Sequence, residues 1–471
     1  MLLGLTQAAC WEKLPLDHLY PPFEIGYISS YLKKHLNFHN IVIERFSDKL
    51  LSHKPDVVYI TSTTMDYSKA IEIATKAKLG WNAITIVGGH HISLLPESLH
   101  KSIDIGVIGE QELTAKELFE YLLSDADVIN KKVLNKEKLE KIKGIVFHKD
   151  GKKIITEERE LIENLDSLPY PDRELLRGKW ASFVGKEGTI VSSRGCPFHC
   201  SFCSRRVVWE NKYRVVSVEY IVKEIEYLHT IYKAKHIIIN DDLFFTKKEK
   251  LEKIAELLKE KRLLGKITLE CSTRAELIDE ETIQLMKRMN FKILRLGIES
   301  YNEKVLEEYN KKELNKKVIN DVLILCKKYG FKVSASFIIG APRETMRDIL
   351  ETYVFLRDNM DKIHWFCGSE LLPVPGTKYW EILEKKGKVN LNMNWALFNS
   401  GEEAIYSNDF PFISEILTKD NFYALLLLLK DLSRYYSLRN EIERIVNTRG
   451  YRVLEKVRKV LNKFKKISGI Q

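Results

Sequence analysis

The chain is poor in cysteine, with seven in 471 residues, and poor in proline, with twelve. It has no apolar run near the roughly 20 residues that cross a bilayer. The longest candidate, ALLLLL at Ala424–Leu429, is far too short. The opening MLLGLTQAACWEKL lacks the basic flank and small-residue cleavage site of a secretory signal. Seven cysteines, an odd number in so long a chain, do not form a disulfide framework. A cytoplasmic location with free thiols is therefore expected. The composition, 45% apolar and 30% charged, fits a soluble globular protein, and the length implies two or three domains.

Three of the scarce cysteines are crowded into SSRGCPFHCSFCSRR, residues 192–206, as Cys196, Cys200 and Cys203. Zinc is the usual tenant of such a group but normally takes four protein ligands. Cys271, Cys326 and Cys367 are isolated and read as small buried hydrophobes. His199 would have to share a cramped loop with its neighbours. Three thiolates with no fourth suit a cubane cluster with one open iron, and Gly195 and Pro197 help the chain wrap around it.

The rest of the chain alternates strand and helix patterns. DVVYITST (56–63) and AITIVGGHH (83–91) are continuous apolar runs of the kind found in buried parallel strands. Between them DYSKAIEIATKAKLG has helical spacing and is expected to close on Gly80. DIGVIGEQELTAKELFEYLL repeats the unit. Residues 1–125 therefore read as a doubly wound, Rossmann-like α/β domain with its ligand loops at the strands' C-terminal ends. Residues 126–188 read as a linker with a helix and a hairpin turning at HKDGKK. From 189 to 388, TIVSS, HIIIN, ITLECST, KILRLGI, KVSASFII and HWFCGSELLPV predict six parallel strands. They make a partial (β/α)6 barrel whose active site lies at the strands' C-terminal ends. Residues 389–471 read as a mainly helical region.

C-x3-C-x2-C with an aromatic residue, Phe202, before the third cysteine, placed after the first barrel strand, resembles the signature of radical S-adenosylmethionine enzymes. The resemblance implies that Cys196, Cys200 and Cys203 hold a 4Fe-4S cluster whose fourth iron takes S-adenosylmethionine. LRLGIES is similar to the family's ribose-contacting segment, carried here by Glu299. SFIIGAPRET is similar to its adenine-side motif, with Gly340 and Pro342. Two departures stand out. NDDLFF replaces the usual pair of glycines and glutamate that meet the methionine amine, leaving Asp241 or Asp242 for that contact. Ser336 stands where the fifth-strand motif usually has glycine.

YPPFEIGYISSYLKK, DVVYITSTT, IVGGHHISLLPES and GVIGEQELT follow in the order seen in cobalamin-binding domains that precede such barrels. This resemblance implies that Thr61, Ser62, Thr63, Gly88, Gly89, Gly109 and Glu110 contact cobalamin. Glycines would admit backbone to the flat ligand, and hydroxyls would bond its amides. The D-x-H-x-x-G motif that ligates cobalt elsewhere is absent. His90 and His91 read as surface or loop residues, and no protein histidine is expected on the cobalt.

The implied activity is methylation of an unactivated carbon of a small-molecule or lipid substrate, through a 5′-deoxyadenosyl radical and methylcobalamin. Rearrangement or cyclisation without methyl transfer is the alternative, and a zinc-stabilised, non-catalytic binding module is a remote one. A methylthiotransferase would need a second cysteine trio in the N-terminal domain, where only Cys10 occurs. An electron donor such as ferredoxin or flavodoxin is expected, and no specific nucleic acid. Trp365, Phe366 and Trp395 are candidates to line the substrate pocket, or ordinary core aromatics.

From Arg444 to Gln471 there are nine Lys or Arg and one acidic residue, Glu455, so 9 − 1 = +8 of the chain's net +10 lies there. Val453, Val457, Val460, Phe464 and Ile467 make one helical stripe. Two readings follow: a helix docked on the barrel with a solvated basic face, or a helix lying on an anionic membrane surface. On the second reading the protein sediments with anionic vesicles at low ionic strength and is released by salt. Equal, negligible binding by the full chain and a chain truncated after Val446 would favour the docked helix.

Overall fold

A computed structural model describes residues 1–8, 22–177, 187–398 and 402–447. The basic tail from 448 onwards lies outside the described residues. The chain forms two compact units, one comprising residues 1–244, 252–268 and 372–411, the other residues 245–251, 269–371 and 412–471. Among the described residues no helix is long and apolar enough to cross a membrane.

The first unit opens with a seven-stranded sheet. Its strands are β1 (Leu3–Gln7), β2 (Ile41–Ile43), β3 (Val57–Thr61), β4 (Ile84–Gly88), β5 (Ile105–Val107), β6 (Ile145–Lys149) and β7 (Lys152–Ile155). The order is β2-β1-β3-β4-β5-β6-β7, with β1 to β5 parallel. Strands covered on both faces must be apolar throughout, and VVYIT and ITIVG are wholly buried. The chain leaves β1 in one direction for β2 and in the other for β3. That reversal opens a crevice at the C-terminal ends, where ligands of doubly wound folds bind. The loops after β3, β4 and β5 end there.

Two details of the sequence reading change. The helix expected to stop at Gly80 runs Tyr67–Trp81 and closes on Asn82, which takes the left-handed conformation at φ 51°. The expected hairpin is present, turning through Asp150 and Gly151, both at positive φ. It is no mere linker feature, because β6 pairs antiparallel with β5 and extends the sheet. The proline-containing connector behind it is tied on both sides. Asp172 accepts from Ser29 Oγ and Lys33 Nζ, each at 2.6 Å, while the buried Arg173 donates to Thr189 O at 2.9 Å and pairs with the buried Glu224.

The first unit also carries β8 (Glu187–Ile190), β9 (Ser193–Arg194), β10 (Arg214–Val215) and β11 (His236–Ile239). β8 and β11 are parallel, and β9 and β10 form a two-residue antiparallel ladder. In the second unit β12 (Thr268–Thr273, whose first residue belongs to the first unit), β13 (Phe291–Glu299), β14 (Lys332–Ile339) and β15 (Trp365–Glu370) form a parallel sheet. Amphipathic helices Glu280–Arg288, Lys316–Tyr329 and Met346–Asp358 link these strands. The long helix Lys419–Asn447 covers β15. Leu429 lies opposite Gly368, and Tyr436 Oη donates to Leu356 O at 2.5 Å.

His91 is neither a surface nor a loop residue. With His90 it opens the helix His90–Leu94, and its side chain is wholly buried. Its ring stacks on Tyr67 at 3.8 Å and meets the edge of Trp395 at 4.5 Å. Nδ1 lies 3.2 Å from Thr64 Oγ1 and Nε2 lies 2.9 Å from Ser98 Oγ. The residue thus pins the segment after β3 to the segment after β4. Burial lowers its pKa to about 3. Between pH 6.5 and 3 the unfolded chain therefore binds a proton that the folded chain refuses, and stability falls with acidification. At pH 5 the loss from this group is about 2 kcal/mol relative to pH 7. Urea midpoints should fall between pH 7 and pH 5, and His91→Gln, although less stable at pH 7, should flatten that slope.

Candidate active site

The cysteine loop begins where β8 ends, and its turns leave little choice of residue. Gly195 holds φ +86°, and a Cβ there would sit 2.1 Å from Lys212 O. The Cys203 amide donates to Cys200 O at 3.1 Å and closes the last turn. All three thiols are half-buried. Burial raises Cys196 to about 11, and Cys200, Asp242 and Cys203 push in the same direction. Cys203 is raised by burial too. Sulfurs that repel one another as thiolates are stabilised by a shared cationic centre. Among the described residues no three His, Cys, Asp or Glu are placed as ligands of one metal ion. Three half-buried thiols on one tight turn are the donor set that the resembled cluster requires.

Of the two aspartates expected at the methionine amine, the buried Asp241 is engaged elsewhere. It accepts from Ser192 N at 2.7 Å and from Ser192 Oγ at 2.5 Å, and so fixes the entry to the cysteine loop. Asp242 is less buried and pairs with Arg205 at 2.7 Å. The apolar residues that follow work through their backbone. Leu243 O accepts from Ser193 Oγ and Tyr213 Oη, and Phe244 O also faces Tyr213 Oη. Phe202 is half-buried, and the carbonyl of its neighbour Ser201 accepts from Lys378 N.

In the second unit Glu299 ends β13 with φ 68°, a conformation that costs a non-glycine residue about 1–2 kcal/mol. Lys311 Nζ at 3.3 Å and Ser336 Oγ at 3.1 Å hold its carboxylate, and Gly297 leaves room for it, since a Cβ there would lie 2.6 Å from Oε1. Ser336, a departure from the resembled motif, thus has a definite partner. Gly340 takes φ +97° against the Phe422 ring. Its amide and that of Ala341 donate to the buried Glu344, whose pKa burial raises to about 8. Pro342 O accepts from Glu415 N.

One face of the β12–β15 sheet is polar. Ser272, Arg295, Ser334 and Trp365 form a row in register, and Gly297, Ser336 and Cys367 form the next. Arg295 Nε donates to Glu270 at 2.5 Å. Barrel interiors are usually filled by branched apolar side chains, and this face is not. Trp365 belongs to it. Phe366 instead packs on Tyr436 behind the sheet, and Trp395 packs on His91 and Trp380.

The residues expected around cobalamin divide by what they already touch. Thr61 Oγ1 donates to Glu24 at 2.7 Å and Thr63 Oγ1 to Asp66 at 2.9 Å. At Gly88 the side chain of Gln111 fills the direction that a Cβ would take, its Oε1 at 2.0 Å. Gly89 lets the strand ends approach, its Cβ direction being filled by Ser62 O at 2.5 Å. Gly109, at φ +74°, has open space at its Cβ direction. Ser62 Oγ and His90 Nε2 are buried without a hydrogen-bond partner. Burial, then Arg205, lowers His90 to about 3, so it is neutral near pH 7. An open glycine and two orphaned polar atoms at the crevice fit a large ligand rich in amides.

Glu110 is fully committed. It accepts from Arg194 at 2.6 Å, from Arg214 at 2.9 Å and from Ile162 N at 2.5 Å. Glu112 pairs with the other arm of Arg194 at 2.5 Å. These arginines, together with Glu112 and Lys311, carry no sequence signature. Only Arg194, next to the cysteine motif, could have been singled out by position.

Two family models match the chain. Residues 190–356 match the radical SAM superfamily and residues 16–119 the B12 binding domain. The uncharacterized methyltransferase PH0819 of Pyrococcus horikoshii is 30% identical over 441 residues, covering 88% of this chain and 91% of its own length. The anaerobic magnesium-protoporphyrin IX monomethyl ester cyclase of Rubrivivax gelatinosus is 29% identical over 372 residues, covering 74% and 64%. Among solved structures, the cobalamin-dependent S-adenosylmethionine radical enzyme OxsB with aqua-cobalamin bound superposes with a TM-score of 0.70 at 18% identity, covering 99% of this chain and 71% of its own. The chain belongs to the cobalamin-binding radical S-adenosylmethionine enzymes, whose cofactors are a 4Fe-4S cluster, S-adenosylmethionine and cobalamin.

Proposed function

We propose that this enzyme methylates an unactivated carbon of a polar small molecule. One observation carries the reading. The three-cysteine loop and the crevice loops of the B12-type domain belong to one compact unit and share ion-paired residues. In this reading Cys196, Cys200 and Cys203 ligate the cluster, and Asp242, rather than Asp241, faces the methionine amine. Glu299 takes the ribose, and the backbone around Gly340 and Pro342 lies against the adenine. Ser62, Gly109 and His90 meet cobalamin. Bound together, these cofactors supply a 5′-deoxyadenosyl radical and a transferable methyl group. The chain's own residues position them: Ser192 and Asp241 set the loop entry, and Lys311 and Ser336 orient Glu299.

The polar β12–β15 face supports a hydrogen-bonding substrate over a lipid. A hydrocarbon skeleton against Ser272 and Ser334 would strip them of water without replacing the bonds. The methyltransferase name of the Pyrococcus relative favours methyl transfer. The cyclase relative keeps ring closure as the second reading.

Anaerobically reconstituted enzyme should yield S-adenosylhomocysteine and 5′-deoxyadenosine together, and a substrate one methyl group heavier. 5′-Deoxyadenosine without S-adenosylhomocysteine, and a product with one ring more, would favour cyclisation. Ala at Cys196, Cys200 or Cys203 should abolish the brown colour and cofactor cleavage, whereas Cys326→Ala, far from the loop in sequence and buried, should keep both. A full cluster in Cys200→Ala would remove the assignment.

A further inference from the structure

Two arginines and two glutamates form a buried chain of ion pairs, Glu112–Arg194–Glu110–Arg214, beside the cysteine loop. Arg194 presents one face of its guanidinium fork to each carboxylate. Nη1 lies 2.6 Å from Glu110 Oε1, and Nη2 lies 2.5 Å from Glu112 Oε1. Arg214 reaches Glu110 at 2.9 and 3.1 Å and also donates to Ile162 O at 2.5 Å. The Tyr27 ring, itself buried, lies 5.5 Å from the Arg194 guanidinium carbon. Two positive and two negative charges balance, so the group is stable only when complete.

Its position in the chain gives it a task. Glu110 directly follows Gly109, whose left-handed turn faces open space at the crevice. Arg194 precedes Cys196 by two residues, and at the intervening Gly195 Lys212 O occupies the space that a Cβ would take. A shift of the Gly109 loop therefore drags Glu110, and through it the residue that starts the cysteine turn. Arg214 stands directly across the ladder from Arg194. Two like charges opposed in this way repel one another, and Glu110 bridges them.

We infer that Arg194 is a positioning residue that couples the Gly109 loop to the cysteine loop, so that bound cobalamin and the iron–sulfur cluster stabilise one another. The inference rests on the reading that the trio holds the cluster and that the Gly109 loop meets cobalamin. Because coupling between two sites is reciprocal, either cofactor reports the other.

The test uses the full chain with its cluster reconstituted anaerobically. Iron loss to bathophenanthroline is followed by absorbance, with and without hydroxocobalamin. Cobalamin should slow the loss in the native protein by at least about fivefold, the lower end of ordinary coupling. In Arg194→Gln and Glu110→Gln the two rates should agree within about twofold, the coupling having been lost. Arg194→Lys, which keeps the charge but not the fork, should fall between. A purely structural role would speed iron loss with and without cobalamin alike and leave their ratio at the native value. An unchanged ratio in folded Arg194→Gln and Glu110→Gln, or a native ratio of one, would overturn the inference. If Arg194→Gln does not fold, Glu110→Gln and Arg194→Lys decide the matter. Iron and cobalamin stoichiometries of the native protein separate the two levels. A native protein that takes up both cofactors but shows no protection refutes the coupling alone, whereas one that takes up neither refutes the cofactor placement and the coupling with it.

Discussion

Removing charge from water is the constraint on which the first unit depends. A buried carboxylate or guanidinium is tolerable only with its partners in place, and the sequence invests heavily in such partners. Arg194 and Arg214 pair with Glu110 and Glu112, and Arg173 pairs with Glu224. These pairs add little net stability compared with apolar packing. Their effect is on geometry, because a bidentate guanidinium accepts very few arrangements of its neighbours. The segments that they fix are the loop after β5, the connector behind the hairpin and the entry to the cysteine turn. A reaction that brings two large cofactors together needs those segments held to within fractions of an ångström.

Much of this architecture was legible because strand and helix periodicity comes from burial, and burial dominates the fold. The apolar runs at 57–61 and 84–88 are fully covered strands, and the cysteine trio follows the strand Glu187–Ile190, which the run TIVSS predicted. The misreadings share a physical cause. Gly80 looked like a helix stop because glycine adopts positive φ freely, yet two residues on Asn82 takes that conformation with its amide bonded to Ala77 O and Lys78 O. At Gly88 the direction that a Cβ would take is filled by Gln111, a residue 23 positions away whose approach no local pattern reveals. His91 looked like a loop histidine because its hydrogen-bond partners, Thr64 and Ser98, lie on other segments.

The same limit governs the cofactor residues. Sequence resemblance identifies positions, while contacts decide which positions are free to act. Asp241 and Asp242 are adjacent and chemically identical, but only Asp241 has both its oxygens on Ser192. Thr61, Ser62 and Thr63 read as equivalent hydroxyls. In the fold the two threonines donate to carboxylates and Ser62 is left with none. An unsatisfied buried hydroxyl is costly, so three hydroxyls that read alike in the sequence differ in what the fold leaves open to them.

Glu299 extends the argument to the second unit. The residue sits in a left-handed conformation that an isolated peptide avoids, at a register shift between β13 and β14. Glycine at that position would relieve the strain but would supply no carboxylate. The fold instead keeps the acid and surrounds it with compensation. Lys311, buried at 2% exposure, places its ammonium against Gly297 O at 2.5 Å and the Glu299 carboxylate at 3.3 Å, and Ser336 adds a hydroxyl. The supports offset a backbone conformation that would otherwise cost about 1–2 kcal/mol, and they fix where the carboxylate points. This arrangement also explains why Ser336 can replace the glycine of the resembled motif, since the hydroxyl joins the group that holds the acid in place.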